Sequence, residues 1–139
     1  MRTTAKKAPA TKRKFELAKD NVMAFIATRN AEKARKFYEE TLGLRFISDE
    51  PYALVFDLNG VMLRIQKVPE LTPAQYTSLG WSVRDIRSAV ETLTARGVRF
   101  EHYPGMGQDA SGIWKSPSGA RVAWFSDSDG NILSLTQFS

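Results

Sequence analysis

The chain of 139 residues has no cysteine and a single histidine, His102. The first absence excludes disulfides, zinc–thiolate sites and thiol nucleophiles, and suits a reducing, cytoplasmic setting. The second leaves the serines at 116, 118, 126, 128 and 134 without a histidine base that the sequence places beside them, so no nucleophilic triad is supported. No apolar run approaches the ~18 residues of a membrane span. The N-terminus has charge but no apolar segment behind it, which is not the pattern of a secretory signal. Neither a P-loop nor a dinucleotide-binding glycine fingerprint occurs. Acid is absent from one stretch: residues 1–14 hold Arg2, Lys6, Lys7, Lys12, Arg13 and Lys14 with no Asp or Glu. Beyond them fourteen basic side chains face fifteen acidic ones, so the formal net charge of +5 belongs to the leader and the body is close to neutral.

That leader is rich in Lys, Ala, Thr and Pro and has too little apolar surface to offset the entropy of ordering it. Residues 1–20 are therefore expected to form a disordered basic tail, the only part of the chain suited to contacts with nucleic acid or another polyanion. Residues 21–139, in a chain with 42% hydrophobic and 25% charged residues, are enough for one domain with a substantial core.

Within that domain the sequence repeats itself. Leu42-Gly43-Leu44-Arg45-Phe46 is echoed by Arg96-Gly97-Val98-Arg99-Phe100, and each follows an amphipathic helical pattern that itself follows a β-type run. In the first copy the spacing predicts a strand over 21–28, an N-cap at Asn30, a helix over 31–42 and strands over 44–49, 53–58 and 61–67. In the second, Asp85 caps a helix over 86–96 that follows a strand over 78–83. Asn59-Gly60 and Asp129-Gly130 are both dipeptides favoured by two-residue hairpin turns. The Pro-containing stretch 68–76 reads as the connector. Each unit is strand, helix, strand, strand, strand, too small to bury its own apolar face, so the two should share one core. Gly97 follows Gly43 by 54 positions, whereas Gly130 follows Gly60 by 70. The second copy thus carries sixteen extra residues, in the segment 101–119, where binding groups are expected on a rigid scaffold.

A duplicated βαβββ unit with Ala34-Arg35-Lys36-Phe37-Tyr38 leading into Leu42-Gly43, and Trp124-Phe125-Ser126-Asp127-Ser128-Asp129-Gly130-Asn131 near its close, resembles the vicinal oxygen chelate superfamily. This is the group of glyoxalase I, extradiol dioxygenases and bleomycin-resistance proteins. The resemblance implies an α+β fold in which two βαβββ repeats curl a mixed sheet into a half-open barrel around a ligand, with helices outside, frequently as a homodimer. It also implies four metal-ligand positions, usually His, Gln or Glu, and these fall here on Met23, Arg64, Ser78 and Ser134. A guanidinium, a thioether and two hydroxyls are poor ligands for hard or borderline divalent ions. The expectation is a site with no metal and no cofactor.

Strand alternation places Met23 and Phe25 on one face of the first strand and Arg64 on the matching face of the fourth, with Ser78 and Ser134 in the corresponding positions of the second copy. With Gln108, Asp109 and Trp114 from the insertion, these are the candidate ligand-binding residues. The expected partner is a small amphipathic or aromatic organic molecule, bound by sequestration or sensing, with Arg64 suited to an anionic group. A neutralised Arg64 reaching diagonally to Asp57 is an equal alternative. Two further readings are a lyase, isomerase or dioxygenase with a rearranged metal site at Asp109, His102 or Glu101, and an interaction module whose tail engages nucleic acid.

Overall fold

The computed structural model describes residues 14–139. Most of the basic tail, and with it the expectation of disorder and of polyanion contacts, lies outside the described residues. Its last part holds a single 3-10 turn, Leu17–Lys19. The elements that follow are β1 (Met23–Thr28), α1 (Ala31–Arg35), β2 (Arg45–Asp49), β3 (Ala53–Leu58), β4 (Val61–Lys67), β5 (Thr77–Ser82), α2 (Ile86–Ala95), β6 (Trp114–Lys115), β7 (Arg121–Ser126) and β8 (Ile132–Gln137). Two four-stranded mixed sheets result, ordered β1-β4-β3-β2 and β5-β8-β7-β6. In each, the first strand runs parallel to the fourth and the remaining pairs are antiparallel, so the doubled grammar of the sequence is also the topology. No helix among the described residues is long and apolar enough to cross a membrane.

The caps fall where side-chain chemistry puts them. Asn30 accepts a hydrogen bond from Lys33 N at 3.1 Å, and Asp85 accepts one from Ser88 N at 3.1 Å, each satisfying an amide that the helix leaves orphaned. The first helix differs from the continuous α-helix expected over 31–42. After Arg35 it widens into a π-helical turn, Lys36–Thr41, closed by Leu42 N donating to Phe37 O at 2.9 Å. The wider turn brings the sequence neighbours Phe37 and Tyr38 onto the inner side together, their rings edge to face at 5.2 Å. Phe37 reaches Phe125 and Tyr38 reaches Phe56.

The hairpin turns also diverge. Asn59 and Gly60 both have positive φ, 51° and 96°, as a two-residue type I′ turn requires. At the second expected turn only Gly130 does, at 92°, and the loop is the longer 127–131. Asp127 is the cause: its N bonds Asn131 O at 3.0 Å, while its Oδ1 accepts from the amides of Asp129 and Asn131, each at 2.9 Å. A side chain thus closes the loop in place of a tight backbone turn.

The sheet faces turned toward the helices make one core across both repeats: Leu54, Phe56, Leu63 and Ile65 from the first, Phe125, Leu133 and Leu135 from the second, with Tyr38, Ile86 and Val90 above them. The echoed motif acquires its physical meaning here. Phe46, at the end of one copy of the echo, packs edge to face on Phe56 at 5.5 Å. Phe100, at the end of the other, packs on Phe125 at 5.3 Å.

One glycine is fixed by crowding. A Cβ at Gly80 would lie 2.6 Å from Ser134 Oγ on the neighbouring strand. Gly80→Ala is expected to destabilise the protein by about 1–2 kcal/mol, as overpacking does. Ser134→Ala in the same chain should restore most of that loss in chemical denaturation, because it removes the atom that clashes. A loss of the same size in the double variant would rule this contact out as the cause.

Candidate functional site

The faces turned away from the helices carry the candidate site, and the structure divides the sequence-derived residues between two sheets. On the first sheet Met23 lies beside Met62, and Phe25 beside Arg64, in parallel register. Met23, Phe25 and Met62 stay 45%, 51% and 40% exposed, an open apolar stripe. Arg64 is not aimed at Asp57. Its Nη2 meets Glu50 Oε1 at 3.2 Å, because the β2–β3 turn folds Glu50 over the strand while Asp57 is engaged by Arg45 at 3.8 Å and by the Gly60 amide at 3.2 Å.

On the second sheet Trp114, Trp124 and Ser134 share the outward face, Trp114 pairing with Val122 and Trp124 with Ser134. Ser134 is only 7% exposed, pressed between Trp124 and the bare backbone of Gly80. Ser78 falls at a register irregularity between Thr77 and Leu79, so Thr77 takes the place beside Ile132 that strict alternation had given to Ser78. Trp81 packs on the helix side against the core, as its parity requires.

Gln108 and Asp109 hold the insertion together. Gln108 Oε1 accepts from Tyr103 N at 2.7 Å, and Nε2 donates to the carbonyls of Glu101 and Gly112, both at 2.8 Å. Asp109 Oδ1 accepts from the amides of Ser111 and Ile113, each at 2.9 Å, and Oδ2 meets Arg87 Nη2 at 3.0 Å. Partial burial alone would raise the carboxyl pKa. The Ile113 amide, Arg87 and the Ser111 amide together outweigh it and hold Asp109 below the ordinary carboxylate range. The anchor is therefore fully present at neutral pH and is lost only as pH falls through that lowered value.

So stapled, the insertion presents Glu101 and Tyr103 to a groove of about 540 Å³ on the outward face of the second sheet, bounded also by Tyr76, Trp124, Ser126 and Ile132. Tyr103 and Trp124 stand edge to face with centroids 5.7 Å apart and planes at 75°. Trp114 lies 6.0 Å behind Trp124 and supports it. Glu101 receives a hydrogen bond from Ser126 Oγ at 3.4 Å. Burial, and next the Glu101 charge, raise the Tyr103 pKa, so the phenol stays protonated at neutral pH. Sequence reasoning named the insertion and Trp114 but not Tyr103 or Tyr76. The alternation of Trp124 and Ser126 with the core residues Ala123 and Phe125 was the signal that points Trp124 outward.

A second cleft, about 330 Å³ between α2 and the helix side of the second sheet, is lined by Leu42, Trp81, Leu93 and similar side chains and has no charged group to orient a ligand. The resemblance's metal positions, Met23, Arg64, Ser78 and Ser134, do not fit a divalent ion. Arg64 brings a positive charge already committed to Glu50, and the rest offer a thioether and two hydroxyls. Among the described residues no three His, Asp or Glu side chains cluster as a metal site, which includes the set Glu101, His102 and Asp109.

Several solved structures share this architecture. A superfamily member from Sphaerobacter thermophilus DSM 20745 is 29% identical, with 85% of this chain and 96% of that one covered and a TM-score of 0.67. TnmS3, an antibiotic binding protein from Streptomyces sp. CB03234, is 25% identical over 86% of this chain and 96% of its own, with a TM-score of 0.64. Lactoylglutathione lyase from Agrobacterium tumefaciens shares the fold at 15% identity, covering 86% and 93%, with a TM-score of 0.62. No curated protein matches in sequence. Residues 20–135, nearly the whole described domain, match the Glyoxalase/Bleomycin resistance protein/Dioxygenase superfamily, and the chain belongs to it.

Proposed function

We propose that this protein binds a small aromatic organic molecule in the groove of the second sheet and sequesters or senses it without turnover and without a metal. The observation that carries this reading is the corner of Tyr103 and Trp124, backed by Trp114, over a groove large enough for a ligand of drug-like size. Rings held by neighbouring rings lose little freedom on binding, which favours recognition of another π-system. TnmS3, described as an antibiotic binding protein, is a precedent in this fold for binding a small organic molecule. The proposal includes a homodimer in the cytoplasm, supported by the exposed Met23–Phe25–Met62 stripe and the cysteine-free composition.

Titration calorimetry with 1-naphthalenemethanol tests the reading. One molecule is expected to bind per chain, equally with and without EDTA. Trp124→Ala should weaken binding about tenfold or more, as loss of a central aromatic anchor does, while Trp124→Phe keeps most of it. Affinity unchanged in Trp124→Ala, or no binding by any aromatic probe, would sink the proposal.

A further inference from the structure

Resting on the binding role proposed above, we infer that the groove selects an organic cation: an aromatic ligand whose ammonium or amidinium group lodges between the Glu101 carboxylate and the rings of Tyr103 and Trp124.

Glu101 is the only charged side chain lining the groove among the described residues. Other carboxylates near the outward faces and in the insertion are neutralised by arginine: Glu50 by Arg64, Asp57 by Arg45, Asp109 by Arg87. Among the described residues Glu101 has no such partner, and its carboxylate is met only by the Ser126 hydroxyl at 3.4 Å. Its main chain, by contrast, is tied on both sides. Glu101 N donates to Trp124 O at 2.8 Å, and its carbonyl accepts from Gln108 Nε2 at 2.8 Å. The half-buried carboxylate is thus held at the groove wall before any ligand arrives, with little reorganisation left to offset the gain on binding.

The aromatic geometry favours the same sign of charge. With their planes at 75°, Tyr103 and Trp124 are two walls of a corner rather than one flat shelf. Ring faces carry the negative part of the quadrupole and attract a cation placed over them. A neutral aromatic ligand gains from the rings and nothing from Glu101. An anionic one meets an uncompensated carboxylate in a partly desolvated wall, which selects against it. The arginine that the sequence offered for an anionic ligand lies on the other sheet and is already paired. This separates the preference argued from the groove from the one argued from composition.

A matched probe set isolates charge: 1-naphthylmethylammonium, 1-naphthalenemethanol and 1-naphthoate, titrated calorimetrically into the full chain. The ammonium is expected to bind about tenfold more tightly than the alcohol, and the carboxylate most weakly. Raising the salt concentration should weaken the ammonium alone. Glu101→Gln, which keeps the shape of the side chain, is expected to bring the ammonium-to-alcohol ratio to about one. Glu91→Gln, on the exposed side of α2, should leave the ratio as in the wild type. Equal affinity for ammonium and alcohol, a preference for naphthoate, or a ratio untouched by Glu101→Gln overturns cation selection while leaving the aromatic site standing. Failure of all three probes removes the site itself.

Discussion

Asp127→Ala is expected to cost about 4 kcal/mol of folding stability and to lower Tm by about 12 °C. The side chain is 8% exposed and works far beyond its own loop. Oδ2 accepts from Tyr38 OH at 2.6 Å and from Asn131 Nδ2 at 2.8 Å, Oδ1 from two backbone amides. Asn131 Nδ2 also donates to Ala27 O at 2.9 Å. Next to it Asp129 accepts from the Thr28 hydroxyl and from Arg29 N. The β7–β8 loop of the second repeat thereby grips the β1–α1 junction of the first. Truncation leaves the buried Tyr38 hydroxyl and the amides of the loop without acceptors, and that desolvation cost, more than the lost attraction, sets the magnitude. Tyr38→Phe, which removes one donor and leaves the Asp127 carboxylate in place for the other donors, should cost less, about 1.5–3 kcal/mol. The two changes combined should cost less than their sum, since both delete the same bond. A loss under about 1 kcal/mol for Asp127→Ala in urea denaturation would show that the grip is dispensable.

The same residues show how far the sequence was legible. Asp and Asn bond their own backbone, and Asp127 closes its loop in that local way. Nothing local in the chain reveals that the second oxygen of the carboxylate serves Tyr38, 89 positions earlier. Strand parity, by contrast, is local, and it placed Met23, Phe25 and Arg64 together on one face. It gave way at Ser78, where an irregular register shifts the pairing by one residue, an event with no signature in the alternating pattern.

The candidate site follows the same division. A count of spacings located the insertion but not its internal hydrogen bonds. Gln108 and Asp109 looked available for a ligand because their partners, backbone amides and carbonyls and the distant Arg87, are not advertised by a sequence. Asp57, the alternative partner offered for Arg64 across a tight turn, was a neighbour found by counting. The actual partner of Arg64, Glu50, comes from the far end of the next strand through the β2–β3 turn. The partners of polar side chains are set by tertiary folding and stay hidden in the sequence, whereas apolar periodicity survives folding because it causes it.

Phe125→Ala and Phe56→Ala are expected to cost about 4 kcal/mol each and, more tellingly, to lower the same single unfolding transition. Both rings are fully buried. They are equivalent in the two copies, each paired with the phenylalanine of its own echo, Phe46 or Phe100. If each repeat were a separate folding unit, removing Phe125 would melt the second copy first and leave the first standing. The contacts argue otherwise. Phe37, from the first repeat's helix, approaches Phe125 at 6.5 Å, and one continuous apolar cluster runs from Ile26 to Leu135. A unit of this size cannot bury enough apolar surface alone, so loss of either ring should withdraw support from both. Calorimetry of the two variants decides it. One cooperative peak, shifted down by a similar amount in each with calorimetric and van't Hoff enthalpies equal, is the outcome of a shared core. Two resolved transitions in Phe125→Ala, the upper one at the wild-type temperature, would mean that the duplicated scaffold is two folding units in contact. The Asp127 grip would then be their hinge rather than part of one body.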